Sequence, residues 1–176
     1  LKKMDINSTF TVLIVVAHTD DETIGLGGTI AKHLDDGDDV YAVAMTDGVA
    51  SRESTKENDI DKRIKAARAA SKELGFKWLD LFDYPDNKLD SIPLLDIVKS
   101  LEKIKEKINP KLIYTHSPAD LNIDHRIINE AVLTAFRPQP NETWSEIRVF
   151  EIPSSTDYGY KSITNSFCPN LYIDIT

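Results

Sequence analysis

The chain has 176 residues, 41% of them hydrophobic and 28% charged, with a net charge of -8 at pH 7. This is the size and composition of one soluble globular domain that can bury a core without disulfides. The negative charge argues against a nucleic-acid footprint, which needs a basic patch. No apolar run approaches the roughly 18–20 residues of a bilayer span. The opening "LKKMDINSTF" has no apolar core of its own and does not read as a secretory signal. The lone Cys168 can form no internal disulfide, which suits a reducing, cytoplasmic compartment.

In chain order, "FTVLIVVAH" is a β-branched run of the kind buried on both faces of a parallel sheet. "DETIGLGGTIAKHLDDG" predicts a helix over about residues 22–35, closed by Gly37. "DVYAVAMTDG" is a second strand, followed by a polar loop, "VASRESTKEND". Ile60, Ile64, Ala67, Ser71 and Leu74 then fall at helical spacing and stop at Gly75. "FKWLDLFDY" is a third strand, and Leu94, Ile97, Val98, Leu101, Ile104 and Ile108 form an amphipathic stripe ending before Pro110. "KLIYTH" is a fourth strand, "RIINEAVLTAF" a helix that dies before Pro138, "IRVFEIP" a fifth strand and "PNLYIDIT" a candidate sixth. The alternation gives an α/β class: a Rossmann-like, doubly wound, mainly parallel sheet of five to six strands with helices on both faces. No repeat or linker divides the chain, which reads as a single domain over residues 1–176.

Ligands in such folds gather beyond the carboxyl ends of the strands, where the first strand delivers His18 and the fourth His116. "VVAHTDDETIG" packs Asp20, Asp21 and Glu22 beside His18. One explanation is a capping box between Thr19 and Glu22, with the acids favouring the helix dipole. It leaves His18 unexplained, because an apolar residue would serve a buried strand end better. The other explanation is a cation: on a turn entering a helix, His18 and Asp21 can converge on one point, and an imidazole with a carboxylate suits zinc. A third ligand would come from "THSPADLNIDHR", which gathers His116, Asp120, Asn122, Asp124 and His125 after the fourth strand.

"AHTDDE" resembles the A-H-P-D-D-E signature of the PIG-L/LmbE family of zinc-dependent N-acetyl-sugar deacetylases, and "NIDH" resembles its second metal motif. "GLGGTIAKHLDDGDDVYAVAMTDG" and "RIKAARAASKELG" are similar to that family as well. The resemblance implies that His18, Asp21 and His125 bind zinc, that Asp20 is the general base, that Arg52 contacts substrate and that Glu22 supports the site. It also implies a chain that stops earlier than many members, short of a C-terminal segment completing the pocket. Thr19 replaces the signature's Pro, and Asn122 stands where the first His of H-x-x-H is usual. Asn122 can donate a hydrogen bond to an oxyanion but cannot act as an acid, a role that falls to His116. Asp124 is placed to orient an imidazole or to start a helix. Asp47 is placed to bind sugar hydroxyls or to shape the turn "TDG".

The reaction implied is water attack on an acetyl carbonyl, with a zinc cofactor, a small N-acetylated sugar as substrate, and release of acetate. The sequence allows a homo-oligomer. A rival from another class is a Mg²⁺-dependent receiver-like signalling domain with Asp80 or Asp83 as phospho-acceptor. It lacks a Lys after the fifth strand, and Mg²⁺ would leave two imidazoles unused. The "GLGG" run is not a dinucleotide fingerprint, since it falls inside the helix rather than in the turn before it.

Overall fold

The computed structural model describes residues 9–49, 57–159 and 166–176. Its elements are β1 (Thr11–Val16), α1 (Asp21–Asp35), β2 (Asp39–Thr46), α2 (Glu57–Leu74), β3 (Lys77–Tyr84), α3 (Leu94–Ile108), β4 (Leu112–His116), α4 (Ile123–Ala135) and β5 (Glu146–Phe150). Short 3-10 turns lie at Leu89–Ser91 and Thr156–Tyr158. The five strands form one sheet in the order β3-β2-β1-β4-β5. Every pairing is parallel, with Val12 opposite both Val40 and Leu112.

Alternation along each strand separates two cores. Leu13, Val15, Ala17, Val43 and Met45 face α3 and α4, where they meet Ile97, Leu101, Ile128 and Val132. Val12, Ile14, Val16, Val40, Ala42 and Ala44 face the other way and meet Leu26 and Ile30 of α1, with Leu74 of α2 at the margin. Both faces are therefore covered, as an all-parallel sheet requires. α1 and α2 end near Gly37 and Gly75, at φ +88° and +96°, left-handed turns that suit glycine. α3 ends differently from the glycine rule: Asn109 takes the left-handed position at φ 47°, directly before Pro110. The sixth strand does not form, because residues 166–176 run without strand pairing, and Ile175 packs instead against Gly28 of α1.

The strand order reverses between β1 and β4: the chain winds outward through β2 and β3, then returns through α3 to β4 on the other side of β1. Crossovers leave the sheet in opposite directions there, so the loops after β1 and β4 splay apart and open a crevice. His18 stands at one lip of that crevice, and His116, the last residue of β4, lies buried beneath it.

Candidate active site

β1 hands over to α1 in residues 17–20. Ala17 is fixed on both sides: its N–H donates to His116 Nε2 at 2.9 Å, and its carbonyl accepts from the Thr46 N–H at 3.0 Å and hydroxyl at 2.9 Å. Asp20 is the N-cap residue of α1, and its carbonyl accepts from the Thr23 and Ile24 amides. The expected capping box is absent. The Thr19 hydroxyl accepts from Arg63, and Glu22 turns inward, where its Oε1 accepts from the Thr23 hydroxyl at 2.7 Å. Burial raises the Glu22 carboxyl to about 7, and its Oε2 has no hydrogen-bond partner among the described residues.

Asp21 points back under the turn. Its Oδ2 accepts from the His18 backbone amide at 2.9 Å and lies 3.2 Å from His18 Nδ1. From across the crevice His125 Nε2 comes within 3.3 Å of His18 Nδ1 and 3.3 Å of Asp21 Oδ2. These spacings test the fit of a metal. A tetrahedral centre with ligand bonds of about 2.0–2.1 Å has donor–donor edges of about 3.3–3.4 Å. Two imidazole nitrogens and a carboxylate oxygen already stand at such edges, and all three residues line the pocket, so the donor set fits a catalytic-type centre.

The outer ring nitrogens of both imidazoles face carboxylates. His18 Nε2 lies 3.0 Å from Asp86 Oδ1 and 3.4 Å from Asp124 Oδ2. His125 Nδ1 lies 3.2 Å from Asp120 Oδ2, with its N–H not aligned on the oxygen. Burial opposes protonation of His18, but Asp124, Asp21 and Asp86 outweigh it and raise the ring to about 11. In the same way burial is outweighed at His125, where Asp120 and Asp21 raise the ring to about 8. Burial would raise Asp21, yet the imidazoles of His116, His125 and His18 hold its carboxyl well below the usual range. So dense a group of carboxylates demands positive charge, which protons or a divalent cation can supply.

Asp124 joins two loops. Its carboxylate accepts from the Asn87 and Leu89 amides at 2.6 and 3.1 Å, which pins the β3–α3 connection and sets Asp86 against His18. Asn122 caps α4 through Oδ1, which accepts from the Asp124 amide at 2.8 Å. Its Nδ2 is thereby the end left for the pocket it lines. Asp120 accepts from the Asn122 amide at 2.8 Å, from Thr156 Oγ1 at 2.6 Å and from Ser155 Oγ. It so fastens the segment after β5 to the β4–α4 loop, and burial is outweighed by His125, Ser155 and Thr156 in lowering it to about 2.

The cavity above the cluster measures about 540 Å³, and its wall includes Asp20, Gly48, Arg63, Asp86, Asn122 and Ser155. His116 is not part of that wall. It is fully buried, its ring stacks on His125 at 3.8 Å and 7°, and burial lowers it toward the neutral form whose Nε2 accepts from Ala17. The acid role expected of it does not fit this place. Asp47 is occupied with its own turn, its Oδ1 accepting from the Val49 amide at 2.9 Å, and does not line the cavity. Arg52 lies outside the described residues. Among the described residues, the arginine at the cavity is Arg63 of α2, which donates to Asp20 Oδ1 at 2.8 Å. Arg63 and Asp86 gave no sequence signal as site residues: one falls on a charged helix face, the other in the turn "PDNKLD".

Fold and site together define an α/β protein whose sheet carries a candidate metal centre of two imidazoles and a carboxylate at its topological switch. The chain belongs to the PIG-L family: the family model, described as GlcNAc-PI de-N-acetylase, matches residues 13–136. It is 29% identical over 138 residues to a Bacillus cereus protein named "Probable N-acetyl-alpha-D-glucosaminyl L-malate deacetylase 2", covering 74% of this chain and 63% of that one. It is 28% identical over 195 residues to the diacetylchitobiose deacetylase of Thermococcus kodakarensis, covering 100% of this chain and 70% of the relative. The solved N,N'-diacetylchitobiose deacetylase of Pyrococcus horikoshii superposes with a TM-score of 0.74 at 27% identity, over 97% of this chain and 66% of that one. The chain thus spans less than two thirds of the Bacillus relative's length.

Proposed function

We propose that this chain is a zinc-dependent amide hydrolase that removes the acetyl group from an N-acetylated amino sugar or sugar conjugate. The observation that carries the reading is the trio His18, Asp21 and His125, spaced 3.2–3.3 Å apart in a chain of the PIG-L family. Two nitrogens and one carboxylate oxygen favour zinc over Mg²⁺ or Ca²⁺, which prefer all-oxygen sites. Zinc held there would supply a Lewis acid for the acetyl carbonyl and lower the pKa of water from 15.7 toward about 7.

The protein's own groups do the rest. Arg63 holds Asp20 Oδ1, while Oδ2 takes no hydrogen bond from a described residue and is free to accept the proton of the attacking water. The Asn122 Nδ2 donates toward the developing oxyanion, its other end being locked on α4. The C–N bond then breaks and Asp20 returns the proton to the departing amine, leaving acetate. His116 acts from behind by fixing Ala17 and stacking on His125. Arg63, Asp86, Asn87, Ser154 and Ser155 give the cavity wall the polar character that sugar hydroxyls need, and Arg52 would add a contact from the loop after β2.

Among the described residues no helix is long and apolar enough to cross a membrane, and Cys168 is an exposed free thiol. An unbridged, exposed thiol suits a reducing, cytoplasmic compartment. A panel of N-acetylglucosamine derivatives assayed for released acetate tests the function. Release should stop with a chelator and return with zinc; chelator-insensitive release, or none from any derivative with metal-loaded protein, would refute it.

A further inference from the structure

Arg63 is gripped at three points. Its Nη2 donates to Asp20 Oδ1 at 2.8 Å and its Nε donates to Thr19 Oγ1 at 3.1 Å. Beneath it lies Gly48, at φ +66°, where an added Cβ would stand 2.5 Å from Nε and 3.0 Å from Cζ. The guanidinium therefore lies directly against bare backbone, with two neighbouring residues of the β1–α1 turn as its acceptors. The proline of the A-H-P-D-D-E signature has no acceptor at this position, so the grip on Nε belongs to the threonine of this chain.

We infer that Thr19 is a positioning residue: its hydroxyl holds Arg63 in the plane in which the guanidinium engages one oxygen of Asp20 and leaves the other for the reacting water. An Asp20–Arg63 pair with half-exposed Asp20 would otherwise sample many geometries, since Arg has long rotamer freedom and the side chain of Asp20 is 49% exposed. A second hydrogen bond, from Nε, removes that freedom, because the planar fork can satisfy both acceptors in one orientation. Thr19 is neither one of the metal donors nor one of the residues lining the cavity, so its hydroxyl acts through Arg63 and, by way of Arg63, on Asp20.

The inference rests on the hydrolase reading for its kinetic consequence but not for its structural one, and the two are separable by experiment. Thr19→Val keeps the shape and deletes the acceptor; Thr19→Ser keeps the acceptor. In the ¹H–¹⁵N spectrum the Arg63 Nε–H should exchange slowly in the parent and in Thr19→Ser and be lost to rapid exchange in Thr19→Val. In acetate release Thr19→Val should lower kcat about three- to tenfold, the range one hydrogen bond supplies, with KM changed less than twofold. Zinc content should be unchanged and Thr19→Ser should restore kcat. A protected Nε–H in Thr19→Val, an unchanged kcat, or a Thr19→Ser variant as slow as Thr19→Val would overturn the assignment. A parent that shows the Nε–H pattern but releases no acetate would sink the hydrolase reading alone.

Discussion

The two strand-to-helix junctions that build the site work at different ranges. After β1 the chain enters α1 within residues 17–20, and His18 and Asp21 meet three residues apart through local backbone geometry. After β4 it takes residues 117–122, and His125 reaches the centre only because that loop is tied elsewhere. Asp120 holds the segment after β5, and Asp124 holds the β3–α3 connection. The first junction brings its two donors together within one turn, although His116, Thr46 and Arg63 brace that turn from outside. The second is a hub whose donor reaches the centre through loops tied to sequence-distant partners. Damage to the first should therefore be local and chemical. Damage to the second should spread to metal affinity and to the cavity wall at once.

The harshest way to break this contrast is to delete the donors. His18→Ala and His125→Ala should each lose tight zinc binding, a loss of at least about a hundredfold in affinity by isothermal titration, with His125→Ala also loosening the cavity wall. Asp120→Asn and Asp86→Asn sharpen it. Each removes a carboxylate that faces one ligating imidazole, and each should weaken zinc binding about 10- to 100-fold. Asp120→Asn should raise KM more than Asp86→Asn does, since Asp120 also accepts the Ser155 hydroxyl and so holds a whole segment of the cavity wall. Equal KM in the two variants would count against the hub.

Acidity acts on both junctions together. Without metal, His18 and His125 are raised to about 11 and about 8, so at neutral pH both carry protons that a metal must displace. Zinc affinity should rise with pH, with about two protons released per ion below pH 8 and fewer above it, as read from titrations in buffers of different ionisation enthalpy. The smallest effect concerns the first junction alone. Glu22 is raised to about 7 from a model-peptide value of 4.5, so the folded state keeps a proton that the unfolded chain has lost. Its contribution to stability is full below about pH 4.5 and declines as pH rises to about 7. Glu22→Gln should flatten that decline and stabilise the metal-free protein at pH 8 by about 1–3 kcal/mol in urea unfolding.

The same difference in range decides what the sequence made legible. Strand and helix identities follow from short-range periodicity, and β1 to β5 and α1 to α4 all stand where apolar spacing puts them. "PNLYIDIT" misled because alternation alone cannot say whether a sheet edge is there to pair with. His18 and Asp21 fall in one short motif and His125 in a second, at equivalent strand ends, and it is the family resemblance that singles out these three. Arg63 and Asp86 could not be read, because each reaches the site by topology: α2 laid beside the β1–α1 turn, and a loop pinned by Asp124. Asp120 is visible as a member of the cluster after β4, but not its ties to Ser155 and Thr156, which lie beyond β5. The capping box was plausible from Thr19 and Glu22 spacing, and was displaced when Arg63 claimed the hydroxyl and burial claimed the carboxylate.

The central claim is that Asp20 works on water beside a metal held by its neighbours rather than holding the metal itself. Zinc stoichiometry and acetate release measured on Asp20→Asn test it most directly. The expected result is one zinc per chain, bound as in the parent, with turnover reduced at least about a hundredfold. Parental turnover in Asp20→Asn, or loss of zinc from it, would contradict the account.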